Sequence, residues 1–273
     1  MKHHYLIFTS LILLLLTACA PSTTPTAPSQ TAAPAPTKTL PPPTATRTQT
    51  ATPAPPITKD APTPKVSPTP QWIRQLCSPL AEQTLAEIPE IVSDPYNPPP
   101  PGRDERHHGV DFAYYRRKNR TTNEGEIVQA LLPGQVIATV IDQLPYGNMV
   151  IIETEGSRLP TELRTNLGMA PGESLYHLYA HFGDAPLVSI GDEIACGQAL
   201  GTVGASGYNI INPHLHLETR LGPAGQQFPA GMGFYTTAAS EAERENYQLW
   251  RTSGVFRHFD PMRIIMFYLK NRE

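Results

Sequence analysis

Six histidines and one aspartate in the middle of the chain carry the chemistry this sequence can do. His107-His108-Gly109-Val110-Asp111 sets an imidazole and a carboxylate four positions apart. Both are good Zn²⁺ ligands, and the glycine between them lets the backbone turn or approach closely. In Ser174-Leu175-Tyr176-His177-Leu178-Tyr179-Ala180-His181, strand alternation predicts His177 and His181 on one face. In Pro213-His214-Leu215-His216-Leu217-Glu218, the same rule sends His214 and His216 to one face and Leu215 and Leu217 to the other. Each segment alone also reads as ordinary structure: a polar loop, a histidine on a half-exposed sheet, a structural pair. Together they describe a metal site with open coordination positions. A structural zinc site is usually closed by four protein ligands, often cysteines. The cysteines here, Cys19, Cys77 and Cys196, are wrongly spaced for that.

Short β elements must position these side chains. Ile127 to Leu132, Gln135 to Ile141, Asn148 to Glu153, Ser174 to His181, Glu193 to Ala195, Ala199 to Val203 and His214 to Thr219 are expected strands. Pro133-Gly134, Pro145-Tyr146-Gly147 and Gly191-Asp192 are turn signals between them. With no amphipathic segment of helix length among them, the expected fold is mostly β, an antiparallel sheet or sandwich with short flanking helices. Glu155 to Gly172 reads as a surface loop. Before the sheet, Trp72 to Ile91 has helical spacing broken by Pro79 and Pro89, followed by a proline-rich connector to Gly102. After it, Ala238 to Arg251 and Pro261 to Lys270 read as helices, the second apolar and with Pro261 in its first turn.

The first seventy residues differ in kind. The chain has 273 residues, 31 of them proline, and about half of the prolines fall between Pro21 and Pro70. Lys2 followed by the apolar run Tyr5 to Leu16 reads as an export signal over residues 1–19. It ends in Leu16-Thr17-Ala18-Cys19, which resembles a bacterial lipobox, so Cys19 is the expected lipidation site; the plainer alternative is a secretory signal with an incidental cysteine. Residues 20–70 form a Pro/Thr-rich tract with too few large apolar side chains to offset chain entropy, and a disordered tether is expected there. The organisation that follows is signal 1–19, tether 20–70, a helical and connector segment 71–106, the histidine-bearing domain 107–220 and an extension 221–273. The expected location is the cell envelope, anchored on the outer side of the cytoplasmic membrane or in the periplasm and outer membrane. A net charge of −3 with no Lys/Arg run excludes a general nucleic-acid binder. Cys77 and Cys196 either pair in an oxidising envelope, stapling the Trp72 segment to the sheet, or stand as two buried thiols; spacing alone does not choose. No pattern in the sequence sets an oligomeric state.

The histidine segments resemble the lysostaphin-type (LytM-type) zinc metallopeptidases that cut peptidoglycan cross-links. The resemblance rests on His107-His108-Gly109-Val110-Asp111, Tyr179-Ala180-His181 and Pro213-His214-Leu215-His216, and spans roughly His107 to Arg220. It implies that His107, Asp111 and His216 bind Zn²⁺ and that His181 and His214 form the catalytic pair. It implies peptidoglycan stem peptides or cross-bridges as substrate. His108 and His177 match no position of the family and are expected as groove or surface residues. Ile211-Asn212 stands where the family usually has Thr-Gly, which affects how a substrate strand would lie. Three other readings compete, one of them a different hydrolase with a zinc site, such as an amidase. A catalytically silent relative would bind cell wall or activate another hydrolase, though such relatives usually lose ligands and all five residues are present. A biotinyl- or lipoyl-like carrier needs a lysine at a hairpin tip, and no lysine lies between Lys118 and Lys270.

Overall fold

Leu215, Leu217 and Leu221 join one apolar core while His216, Glu218 and Arg220, alternating with them, face the other way. That alternation organises the molecule, seen in a computed structural model that describes residue 73 and residues 75–271. The expected signal, lipidation site and tether lie outside the described residues.

In chain order the strands are β1 (Val92–Asp94), β2 (Val110–Phe112), β3 (Tyr115–Arg117), β4 (Arg120–Thr122), β5 (Ile127–Gln129), β6 (Gly134–Gln143), β7 (Gly147–Thr154), β8 (Glu173–Ala180), β9 (Glu193–Ile194), β10 (Ala199–Thr202), β11 (Leu215–Pro223) and β12 (Arg257–Phe259). The helices are α1 (Thr161–Leu167), α2 (Glu241–Arg251) and α3 (Met262–Lys270), with 3₁₀ turns at Leu85–Ile91 and Gly156–Arg158. The main sheet runs β1-β2-β11-β8-β7-β6-β9, with β12 also paired to β11. Its ladders are antiparallel. Two small sheets, β5–β10 and β3–β4, complete the β structure. The fold is therefore mostly antiparallel β with few helices.

The central strands are covered on both faces. One core holds Val110, Phe112, Val150, Ile152, Tyr179 and Leu217, with Ile264, Ile265 and Tyr268 of α3 packed into it. The other holds Ile151, Tyr176 and Leu178 under Phe228, Met232, Tyr247, Trp250 and Phe256. The stretch from Phe228 through α2 to Phe256 is thus the lid of the second core. Its helix begins with a capping box: the Ser240 hydroxyl accepts from the Glu243 N–H, and the Glu243 carboxylate accepts from the Ser240 N–H.

Three expectations give way. Among the described residues of the expected helical segment, 73 and 75–91, no α-helix forms. Leu76 and Leu80 are separate anchors in the core, Leu80 bridges Val128 of β5, and only Leu85–Ile91 winds into a 3₁₀ helix, with Pro89 inside it. Pro79 interrupts the segment, and a long-range pairing takes the backbone bonds a helix would have used. Glu155 to Gly172 is not a plain loop: α1 lies within it, burying Leu163 and Leu167 one turn apart and ending on Gly168 at φ 67°. A helix therefore does interrupt the strands, its polar outer face hiding a two-leucine stripe. Finally, β8 stops at Ala180 rather than His181. Cys77 and Cys196 are joined by a disulfide with Cα atoms 5.6 Å apart, tying the N-terminal segment to the turn after β9.

Candidate metal centre

Asp111 and His216 are direct cross-strand partners between β2 and β11, so both project from one face with Cβ atoms in contact range. His107 comes from the strap before β2, which is fixed by reciprocal backbone bonds between His107 and Asn97, 3.1 and 3.0 Å long. Gly109 makes room for the assembly. A Cβ there would lie 2.4 Å from the Leu217 carbonyl oxygen and 2.8 Å from Cε1 of His216.

His107 Nε2 lies 3.0 Å from Asp111 Oδ1 and 3.0 Å from His216 Nδ1, and His216 Nδ1 lies 2.8 Å from Asp111 Oδ1. Among the described residues, this is the one group that brings three His, Cys, Asp or Glu donor atoms together. Donors bound tetrahedrally to one zinc at about 2.0–2.2 Å are about 3.3 Å apart. The observed spacings are a few tenths of an ångström tighter, so the triad fits a zinc ion with little adjustment.

Proton placement supports the same reading. His107 Nδ1 contacts the Pro95 carbonyl at 3.1 Å, and His216 Nε2 contacts Glu218 Oε1 at 3.2 Å. His181 Nδ1 contacts the Ser206 carbonyl at 2.8 Å, and His214 Nδ1 contacts the Asn212 carbonyl at 2.8 Å. A carbonyl or carboxylate oxygen only accepts, so each of these nitrogens carries the proton. The opposite nitrogens of His107 and His216 meet at Asp111 Oδ1, and that of His214 lies near Asp111 Oδ2. His181 and His214 stand with ring centroids 4.9 Å apart, and His181 and His216 with centroids 5.5 Å apart. His214 Nε2 is 3.4 Å from Asp111 Oδ2. The five residues line one cleft of about 360 Å³, shared with Tyr146, Tyr208, Tyr235 and Arg251. A larger cleft of about 530 Å³ lies among Gly134, Glu153 and Glu173 and contains no histidine.

The electrostatics follow from burial and contact. Burial pushes the Asp111 carboxyl up, but hydrogen bonds from His107 and His216 override it and hold the group far below the usual carboxylate range. For His216, burial pushes the ring down while hydrogen bonds to Asp111 and Glu218 prevail, raising its pKa to about 9. His181 has no carboxylate partner of that kind. Burial, then the neighbouring His216 and His214, push it down to about 3.

The expectation that His177 and His181 share a face fails for a local reason. His181 has φ 67°, a left-handed conformation uncommon outside glycine, which breaks the alternation just past β8. His181 is thereby turned into the cleft. His177 stays in the sheet, fully buried, 3.1 Å from the Thr154 hydroxyl. His177 is therefore no groove or surface residue. His108 does border the cleft, as a groove residue would, but it is fully buried rather than at the surface, and its Nδ1 accepts from Arg220 at 2.9 Å.

Sequence reasoning missed the polar layer behind the triad. Glu218 is fully buried and accepts six hydrogen bonds. Oε1 takes His216 Nε2, the Tyr146 hydroxyl at 2.7 Å and Arg251 Nη1 at 3.0 Å. Oε2 takes Arg220 Nε at 3.0 Å, Arg220 Nη2 at 2.7 Å and Trp250 Nε1 at 2.9 Å. Glu218 and Arg220 were within reach of the sequence, since they follow His216 at two and four positions on one strand face. Tyr146, Trp250 and Arg251 carry no such spacing.

An antiparallel sheet that gathers His, Asp and His at one point, with two more histidines beside them, defines a protein with a candidate metallohydrolase centre. Residues 105–228 match Peptidase family M23. Similar solved structures include the catalytic domain of the prophage-encoded M23 protein EnpA from Enterococcus faecalis, with 24% identity over 50% of this chain and 85% of that one, and a TM-score of 0.35. The catalytic domain of the antimicrobial peptidase lysostaphin from Staphylococcus simulans is 20% identical over 68% of this chain and 99% of that one, with a TM-score of 0.39. A zinc-containing peptidase from Vibrio cholerae is 24% identical over 48% of this chain and 33% of that one, with a TM-score of 0.32. No curated protein matches the chain.

Proposed function

We propose that the protein is a membrane-anchored zinc endopeptidase that hydrolyses peptide cross-links of peptidoglycan. The observation that carries this reading is the convergence of His107 Nε2, His216 Nδ1 and Asp111 Oδ1 within 3.0 Å of one another, with His181 and His214 beside them in one cleft. His107 Nε2, His216 Nδ1 and the Asp111 carboxylate would hold the zinc. When bound there, zinc supplies Lewis-acid chemistry, polarising a carbonyl and making water acidic enough to deprotonate near neutral pH. His181, held neutral by burial, takes a proton at Nε2. Its Nδ1 bond to the Ser206 carbonyl stabilises the imidazolium so formed. His214 offers its Nε2 to the same cleft, and a protonated member of the pair donates to the oxyanion that develops on the scissile carbonyl.

The address is part of the proposal. A signal over 1–19 delivers the chain to the envelope, lipid on Cys19 anchors it, and the Pro/Thr tract over 20–70 lets residues 71–273 reach the wall. Stem peptides or cross-bridges are the substrate. The test is mass spectrometry of muropeptides released from purified peptidoglycan, with and without a chelator. Chelator-sensitive release of peptides cleaved at a cross-link supports the proposal. A zinc-loaded protein that releases none contradicts it.

A further inference from the structure

The M23 match ends at residue 228, yet two side chains of the polar layer behind His216 come from α2, beyond it. Arg251 has the more consequential position. Its Nη1 donates to Glu218 Oε1 at 3.0 Å, the same oxygen that receives His216 Nε2 at 3.2 Å. Its Nε donates to Asp104 Oδ1 at 2.6 Å and its Nη2 to the Asp104 carbonyl at 3.0 Å. Asp104 lies three residues before His107 and also accepts from the Tyr247 hydroxyl of α2 at 2.8 Å. One planar guanidinium therefore grips both segments that bring imidazoles to the triad. These imidazoles are 109 residues apart in sequence. A fork of fixed donors suits this task, because it sets two acceptors relative to each other.

We infer that the C-terminal extension is a working part of the metal centre, with Arg251 as a positioning residue for two of its ligands. It acts on His216 through Glu218 and on His107 through Asp104. Partners that orient a metal-bound imidazole typically change metal affinity by about 10–100-fold when removed. Glu218 has Arg220 as a second cation, bonded to its other oxygen. Loss of Arg251 therefore leaves Glu218 charged and paired while removing the grip on Oε1 and on the His107 strap.

The inference rests on the reading of His107, Asp111 and His216 as a zinc site, and its test separates the two. Zinc affinity of the metal-stripped full chain is measured against a competing chelator, and the visible spectrum of its Co²⁺ form is recorded. Arg251→Met is expected to weaken zinc binding about 10–100-fold and to alter the Co²⁺ ligand-field bands. Arg251→Lys keeps a cation and one donor and is expected to restore part of the affinity. Arg244→Met serves as control: Arg244 lies on the same helix and bonds the Ala239 and Thr236 carbonyls instead, so affinity and spectrum are expected unchanged. Combined with Glu218→Gln, Arg251→Met is expected to add less than its separate effect, as for residues in one chain of contacts. Should Arg251→Met not fold, Asp104→Asn and Arg251→Lys carry the test, each with a several-fold loss expected. A folded Arg251→Met protein with wild-type zinc affinity and spectrum overturns the inference and leaves the metal site standing. A wild-type chain that takes up no zinc overturns both.

Discussion

Asp111 is the hinge of the chemistry at the residue scale, because one oxygen faces two imidazoles and the other faces a third. His216→Ala or Asp111→Ala is expected to abolish zinc content and peptidoglycan cleavage together. His181→Ala is expected to retain zinc and lose about 10²–10⁴-fold in turnover, the contribution of one general base. Zinc-loaded His181→Ala protein with full activity would refute that assignment. The raised pKa of His216 has its own consequence in the metal-free protein. Its protonated ring bridges Asp111 and Glu218, and this contribution to stability is complete below about pH 6.5 and lost as pH rises through about 9. The proton on Nδ1 must leave before that nitrogen binds zinc, so zinc affinity should climb over the same interval. Chelator-buffered zinc titrations at the two ends of the interval check this, and a flat profile contradicts it.

Elements show which side chains local sequence can place and which it cannot. His214 and His216 were legible because strand alternation sets their shared face and Leu215 and Leu217 reveal the other, and Asp111 was legible through its four-residue spacing from His107. His181 was legible as a residue but not in its direction, because a single left-handed φ at a strand end reverses what alternation implies. Helix α1 was obscured because only Leu163 and Leu167 mark its buried stripe in a polar stretch. Arg251 and Trp250 were illegible because their role exists only after α2 docks against β11, thirty residues or more from Glu218 in sequence. Gly109 gives the sharpest test at this scale. A methyl group there collides with β11 backbone and with the His216 ring, neither of which is the free end of a flexible chain. Gly109→Ala is expected to cost about 1–3 kcal/mol of stability and to impair zinc binding. Denaturant unfolding and metal analysis of the same preparation check both, and an unchanged protein would show that β2 and β11 yield more easily than their spacing indicates.

The whole described unit is a sheet closed on two sides by chain from outside the M23 match. The strap from Leu76 to Ile91 covers one core and α2 the other. The disulfide between Cys77 and Cys196 spans 119 residues and fastens the first of these covers. In the chain-entropy picture, closing a loop of that length stabilises the fold by about 4–5 kcal/mol. Reduction, or replacement of both cysteines by serine, is accordingly expected to lower the unfolding temperature by well over the 2–4 °C that about 1 kcal/mol produces in a domain of this size. The triad lies on the other side of the sheet from the core this bridge fastens, so zinc content below the transition should persist. Loss of zinc on reduction at low temperature would mean that the strap reaches the metal centre after all. The claim on which everything else depends is that His107, Asp111 and His216 share one zinc ion. The most direct measurement is zinc per chain, by elemental analysis after dialysis, for the wild type and for alanine at each of the three positions. One zinc in the wild type and a small fraction of that in each variant is the predicted result; a wild type without zinc, or variants that keep it, would contradict the account.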